Sequence, residues 1–171
     1  MQPIVHSCVY HLLSMLVSKR FYTALVQRPS PVTPPEILNN PKHYPFFQSC
    51  LGSIDGSHFH AWVSEDLMAR HRNRKGGITQ NVLAACDFNM LFIYILSGWE
   101  GSASDSHIYE RAREQDLAIP DGWYYLADAG FPMCSALLVP YRGKRYHLKE
   151  WARGNQAYVF TIVLASSTHT I

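Results

Sequence analysis

The stretch CLGSIDGSHFHAWV, residues 50–63, places one aspartate, Asp55, at the end of an apolar run and follows it at once with glycine. The stretch reads as a first strand. Two further runs come close behind, TQNVLAACDF over 79–88 and MLFIYILSGW over 90–99. A tight Asp87-Phe88-Asn89 turn joins them in the manner of a hairpin. Three successive strands connected this way form an antiparallel meander.

Beyond the meander, SASDSHIYERAREQ (102–115) carries polar cap residues ahead of Ile108 and a charged face, so it predicts a helix entered through Ser104 or Asp105. WYYLADAGF (123–131) and SALLVPY (135–141) read as a fourth and a fifth strand. A helical crossover lets the fourth strand lie beside the first and parallel to it. The expectation is a mixed sheet with a helical cover.

That topology sets Asp55 and Asp128 at the ends of neighbouring parallel strands, which are about 4.8 Å apart. Two such carboxylates repel by about 4 kcal/mol at roughly 4 Å when the effective dielectric is near 20. A divalent cation, Mg²⁺ or Mn²⁺, removes the penalty. Gly56 and Gly130 follow the two aspartates and let the chain turn sharply there. The alternative from residue chemistry is plainer: both aspartates end strands and cap turns, as Asp-Gly commonly does.

The segments SIDGSH, RKGGITQNVLAACDFNMLFIYILSGWEGSASDS and YYLADAGFP with LLVPYRGKRYHLKEW resemble the Harbinger-type transposase-derived nucleases, DDE superfamily endonucleases with an RNase H-like fold. The likeness runs in order over about residues 30–155. It implies metal-dependent cleavage and transfer of DNA phosphodiesters. Asp55 matches the first acid of the family's triad and Asp128 the second. Asp105 matches an aspartate of the family's GSxxDS segment and is placed lining the site; as a helix cap it has an equally direct explanation.

The third acid of such nucleases is a glutamate on a long helix after the fifth strand. Here the sequence after Asn155 runs QAYVFTIVLASSTHTI, without one Asp, Glu, Lys or Arg. Glu150 belongs to the matched KEW segment and is not cast as that ligand. The expectation is therefore a catalytic domain cut at both ends: an N-terminal helical remnant (1–28), a proline-rich arm (29–45), an RNase H-like nuclease domain (46–155) lacking the family's C-terminal helix, and a divergent apolar tail (156–171). Such a chain should bind Mg²⁺ or Mn²⁺ weakly and cleave DNA poorly. The competing reading is a non-enzymatic DNA- or protein-binding fragment of a domesticated or decaying transposase.

Composition agrees with a folded domain. Of 171 residues, 47% are hydrophobic, enough for a packed core. The formal charge of +2 is too mild to mark a nucleic-acid binder by itself. Local clustering does better: Arg70, Arg72, Arg74 and Lys75, in RHRNRKGG between the first two strands, are placed to neutralise phosphates or to line a solvated loop. They also resemble a weak nuclear-localisation patch. Tyr141, Arg142, Lys144, Arg145 and Tyr146 mix cations with aromatics in a similar way. His58 and His60 share a strand face but have no third ligand in register.

Cys8, Cys50, Cys86 and Cys134 form no C-x-x-C pair and are read as reduced, mostly core, thiols. Val9, Leu12, Leu13, Leu16 and Val17 recur at helical spacing and predict an amphipathic helix over about 6–26 whose apolar face needs a partner. Six of the ten prolines fall between Pro29 and Pro45, which predicts an extended arm. No run reaches the roughly eighteen apolar residues of a membrane span. The expected partners are DNA and a separate DNA-binding protein, with no membrane; the expected place is the nucleus, or the cytoplasm without a partner.

Overall fold

Strict alternation in Thr79–Cys86 buries Thr79, Asn81, Leu83 and Ala85 and leaves the residues between them half-exposed, the signature of a strand with one face on a core. This is β2 of a computed structural model that describes residues 2–16 and 18–141. It lies between β1 (Cys50–His60) and β3 (Phe92–Glu100), antiparallel to both. The turn between β2 and β3 is built on Asp87, whose Oδ1 accepts the backbone N–H groups of Asn89 and Leu91, each at 2.9 Å. An aspartate that satisfies its own turn in this way ends one strand and aims the next.

The helix α5 (Asp105–Gln115) follows, with Ser104 as its cap: the Ser104 hydroxyl accepts from the His107 N–H at 3.4 Å. Ile108, Tyr109 and Ala112 form its buried face and join a core with Ile54, Leu83 and Tyr125. β4 (Tyr124–Leu126) and β5 (Leu137–Leu138) complete a five-stranded sheet in the order β3-β2-β1-β4-β5, with β1–β4 and β4–β5 parallel. The mixed α/β architecture expected of an RNase H-like domain is therefore present. β4 and β5 are shorter than the apolar runs that announced them, because those runs continue into turns around Asp128 and Pro140.

Three expectations need correcting. The single helix over 6–26 is two, α1 (Gln2–Leu16) and α2 (Lys19–Leu25), because Ser18 takes an extended conformation and its hydroxyl caps α2 at the Phe21 N–H, 3.3 Å away. The apolar stripe of α1 meets no cover among the described residues; Leu12 is 60% exposed. The proline-rich arm contains a helical turn, α3 (Pro35–Leu38), capped by Pro34 and opened by Pro35, whose fixed φ suits a first helical position, and it sinks Ile37 completely.

The thiols were expected in the core, but only Cys50 is buried; Cys8 and Cys134 are exposed. Burial pushes the Cys50 thiol up to about 11. α2 has a definite job at the sheet edge: the Tyr22 hydroxyl donates to the Ile95 carbonyl at 3.3 Å and accepts from the Ile95 N–H at 3.2 Å, capping a pair of otherwise open β3 groups. Among the described residues no helix is long and apolar enough to cross a membrane. The expected loss of a C-terminal helix, the cationic Arg142–Tyr146 segment and the tail lie outside the described residues.

Candidate carboxylate site

Pairing between β1 and β4 stops at Ser53 and Leu126. Asp55 stands two residues past the first and Asp128 two past the second, so both carboxylates leave the sheet where its parallel seam opens. Clefts at such carboxyl-end openings are where open sheets bind ligands. Asp128 follows β4 as expected. Asp55 does not end its strand: β1 runs on to His60 against β2, with Asp55 opposite Ala84.

A third carboxylate, Asp105, opens α5 and stands close enough to act on Asp55. Partial burial raises the Asp55 carboxyl above its ordinary range; the Gly56 N–H, donating to Asp55 Oδ1 at 2.8 Å, works against that, and the negative charges of Asp128 and Asp105 add to it. Asp55 thus sits in the field of two like charges. The three are not a closed cage: among the described residues no three His, Cys, Asp or Glu side chains converge tightly enough to hold a metal alone.

Neutral groups hold the carboxylates in place. The Gly130 N–H donates to Asp128 Oδ1 at 2.7 Å, and the Ser106 hydroxyl donates to the Gly130 carbonyl, tying the first turn of α5 to the Asp128 loop. Asn81 reaches from β2 to donate to Asp105 Oδ1 at 2.9 Å. Neither Asn81 nor Ser106 was singled out from the sequence. Asn81 left a signal, since it is a polar residue in the core-facing row of an alternating strand; Ser106 left none.

The basic residues divide. A short 3₁₀ turn (Glu65–Leu67) and α4 (Met68–His71) lead to a loop closed by the Arg72–Ile78 bridge. Arg70 pairs with Glu100 at 2.6 Å and Arg72 donates to the Gly76 carbonyl at 2.9 Å, so both stitch the chain to itself. Arg74 and Lys75 are exposed at the loop tip. His58 shares a hydrogen bond with the Thr79 hydroxyl at 3.1 Å, a structural use.

A family model described as DDE superfamily endonuclease matches residues 54–169. No curated protein and no solved structure matches the chain.

Proposed function

The chain belongs to the DDE superfamily endonucleases, and from that premise we propose that Asp55 and Asp128, with Asp105 beside them, form its catalytic site for DNA phosphodiester cleavage. DNA is the substrate that membership implies. The observation that carries the assignment is the matched offset of Asp55 and Asp128 beyond the last β1–β4 pair, together with the negative charge that Asp128 and Asp105 impose on Asp55.

The residues fit a hard divalent cation. Their donors are oxygens, none of the three is in an ion pair among the described residues, and Mg²⁺ binds through one or two carboxylates, water and substrate phosphate rather than through a complete protein cage. Asp55 and Asp128 are the ligands assigned. When bound, such an ion activates a water and neutralises charge on the leaving oxygen. The protein's own contribution is to hold the carboxylates at the seam's mouth. Asp105 adds negative charge there, and Arg74 and Lys75 draw the phosphate backbone in. With two carboxylates as the assigned ligands the ion is held weakly, so turnover is slow. The Harbinger-type assignment, a separate DNA-binding partner and a nuclear location extend this same reading.

Calorimetric titration with Mn²⁺ tests it. Saturable binding is expected in the parent and not in Asp55→Ala or Asp128→Ala; metal-dependent plasmid nicking should be slow in the parent and absent in both variants. Binding that survives in either variant removes that residue from the site. The exposed Arg74 and Lys75 favour a second reading, DNA binding without cleavage. Salt-sensitive binding that needs no metal and survives Asp55→Asn, with no nicking, would establish it.

A further inference from the structure

Asn81 is fully buried on the core-facing row of β2, where an apolar side chain would pack without needing partners. Its amide nitrogen donates to Asp105 Oδ1 at 2.9 Å and to the Ala103 carbonyl at 3.2 Å. Its oxygen, Oδ1, is buried with no hydrogen-bond partner among the described residues. A buried polar atom left unpaired costs stability that a leucine of similar shape would not. The amide therefore contributes little to the core and a good deal to Asp105.

Gly56 gives an independent indication of the same geometry. Its φ is outside the left-handed region, so the backbone does not demand glycine there. Space does: an added Cβ would run into the Asp105 carboxylate and stand 3.2 Å from Asn81 Oδ1. The strand leaves a gap over Gly56, next to Asp55, and the Asp105 carboxylate occupies it on the Asn81 amide.

We propose that Asn81 is a positioning residue, whose amide fixes the Asp105 carboxylate in the gap over Gly56 so that it faces the same site as Asp55. This rests on the reading of Asp55, Asp128 and Asp105 as one site. It implies that Asp105 is held as part of the site rather than serving only as the first residue of α5, whose cap is supplied by Ser104.

The test is a double-mutant cycle on the full chain with two readouts, Mn²⁺ affinity by calorimetry and the melting temperature without metal. Asn81→Leu keeps the shape and removes the donor; Gly56→Ala pushes the carboxylate from its place with Asn81 intact. Each is expected to weaken Mn²⁺ binding by about tenfold or more. Asn81→Leu should have little further effect in an Asp105→Asn background. A full effect in that background, or none in the parent, overturns the proposal. Should Asp55→Ala leave Mn²⁺ binding intact, the site reading fails, and the metal-free cycle decides on Asn81 alone: coupled melting losses for Asn81→Leu and Asp105→Ala uphold the positioning contact, and additive losses overturn it.

Discussion

Gly52→Ala should cost the domain about 2–6 kcal/mol, the sum of a conformational and a steric penalty. Gly52 has φ +150°, where a side chain is strained by about 1–3 kcal/mol. An added Cβ would also run into the Cys86 carbonyl oxygen and stand 3.0 Å from the Cys86 carbonyl carbon and 3.2 Å from Asp87 Cα. These are backbone atoms, and Cys86 is pinned between Ser53 of β1 and Phe92 of β3, so relief requires the ladder to shift. Overpacking of this kind costs about 1–3 kcal/mol. Gly76→Ala is the control: φ is +86° but nothing lies within 4 Å of the added atom, so only the conformational part applies. Urea unfolding followed by circular dichroism reads both. Against a typical total of about 5–15 kcal/mol, Gly52→Ala should lower the midpoint far more than Gly76→Ala with the slope unchanged. Equal losses in the two variants would refute the steric half of the argument, and a Gly52→Ala loss below about 1 kcal/mol would refute both halves.

Asp55→Asn should raise the melting temperature at neutral pH, because burial first, and then the charges of Asp128 and Asp105, hold the Asp55 carboxyl above its ordinary value. A carboxyl that binds its proton more tightly when folded stabilises the protein below its unfolded value and loses that contribution as pH rises through the folded one. The variant's advantage should therefore shrink on acidification, and solvent screening of this exposed residue keeps it below about 1 kcal/mol. A melting series from about pH 3 to about pH 8 checks the sign, which is wrong if the parent gains on the variant as pH rises. Ile37→Ala should cost about 2–5 kcal/mol, since the side chain is completely buried. A neutral result in chemical unfolding would return the proline-rich segment to a loose arm.

What the sequence disclosed follows from how far apart the interacting residues lie. The meander was legible because its apolar runs and the Asp87 turn are local, and the turn's two hydrogen bonds span four residues or fewer. The α5 cap was legible for the same reason. The α1–α2 break was not, because the apolar spacing carries on through it and a single serine decides the matter. Ile37 was hidden by its prolines, whose bulk composition spoke for an extended chain while one turn of it packed. At the site, Asp55 and Asp128 stood out as charges beside glycine in apolar runs. Asn81 did not, since its meaning lies in an acceptor 24 residues away on another element.

The carboxylates are held by two different parts of the fold. Up to Ser53 and Leu126 the parallel seam is a buried ladder, with Cys50, Leu51 and Tyr125 inside. Past it the ladder gives way to single side-chain ties, Ser106 to the Gly130 carbonyl and Asn81 to Asp105. Both ties start or end on the first turn of α5, whose other face is packed into the core through Ile108 and Tyr109. Among the described residues, the Asp105 and Asp128 carboxylates therefore hang from rigid elements and are tied in place by neutral hydrogen bonds. In the proposed site that arrangement keeps Asp55 near two like charges. It also makes the 104–106 turn the point at which both the Asp105 and the Asp128 arms of the site are set, so a change there should be felt at both carboxylates, whereas a change in β2 or β4 reaches one.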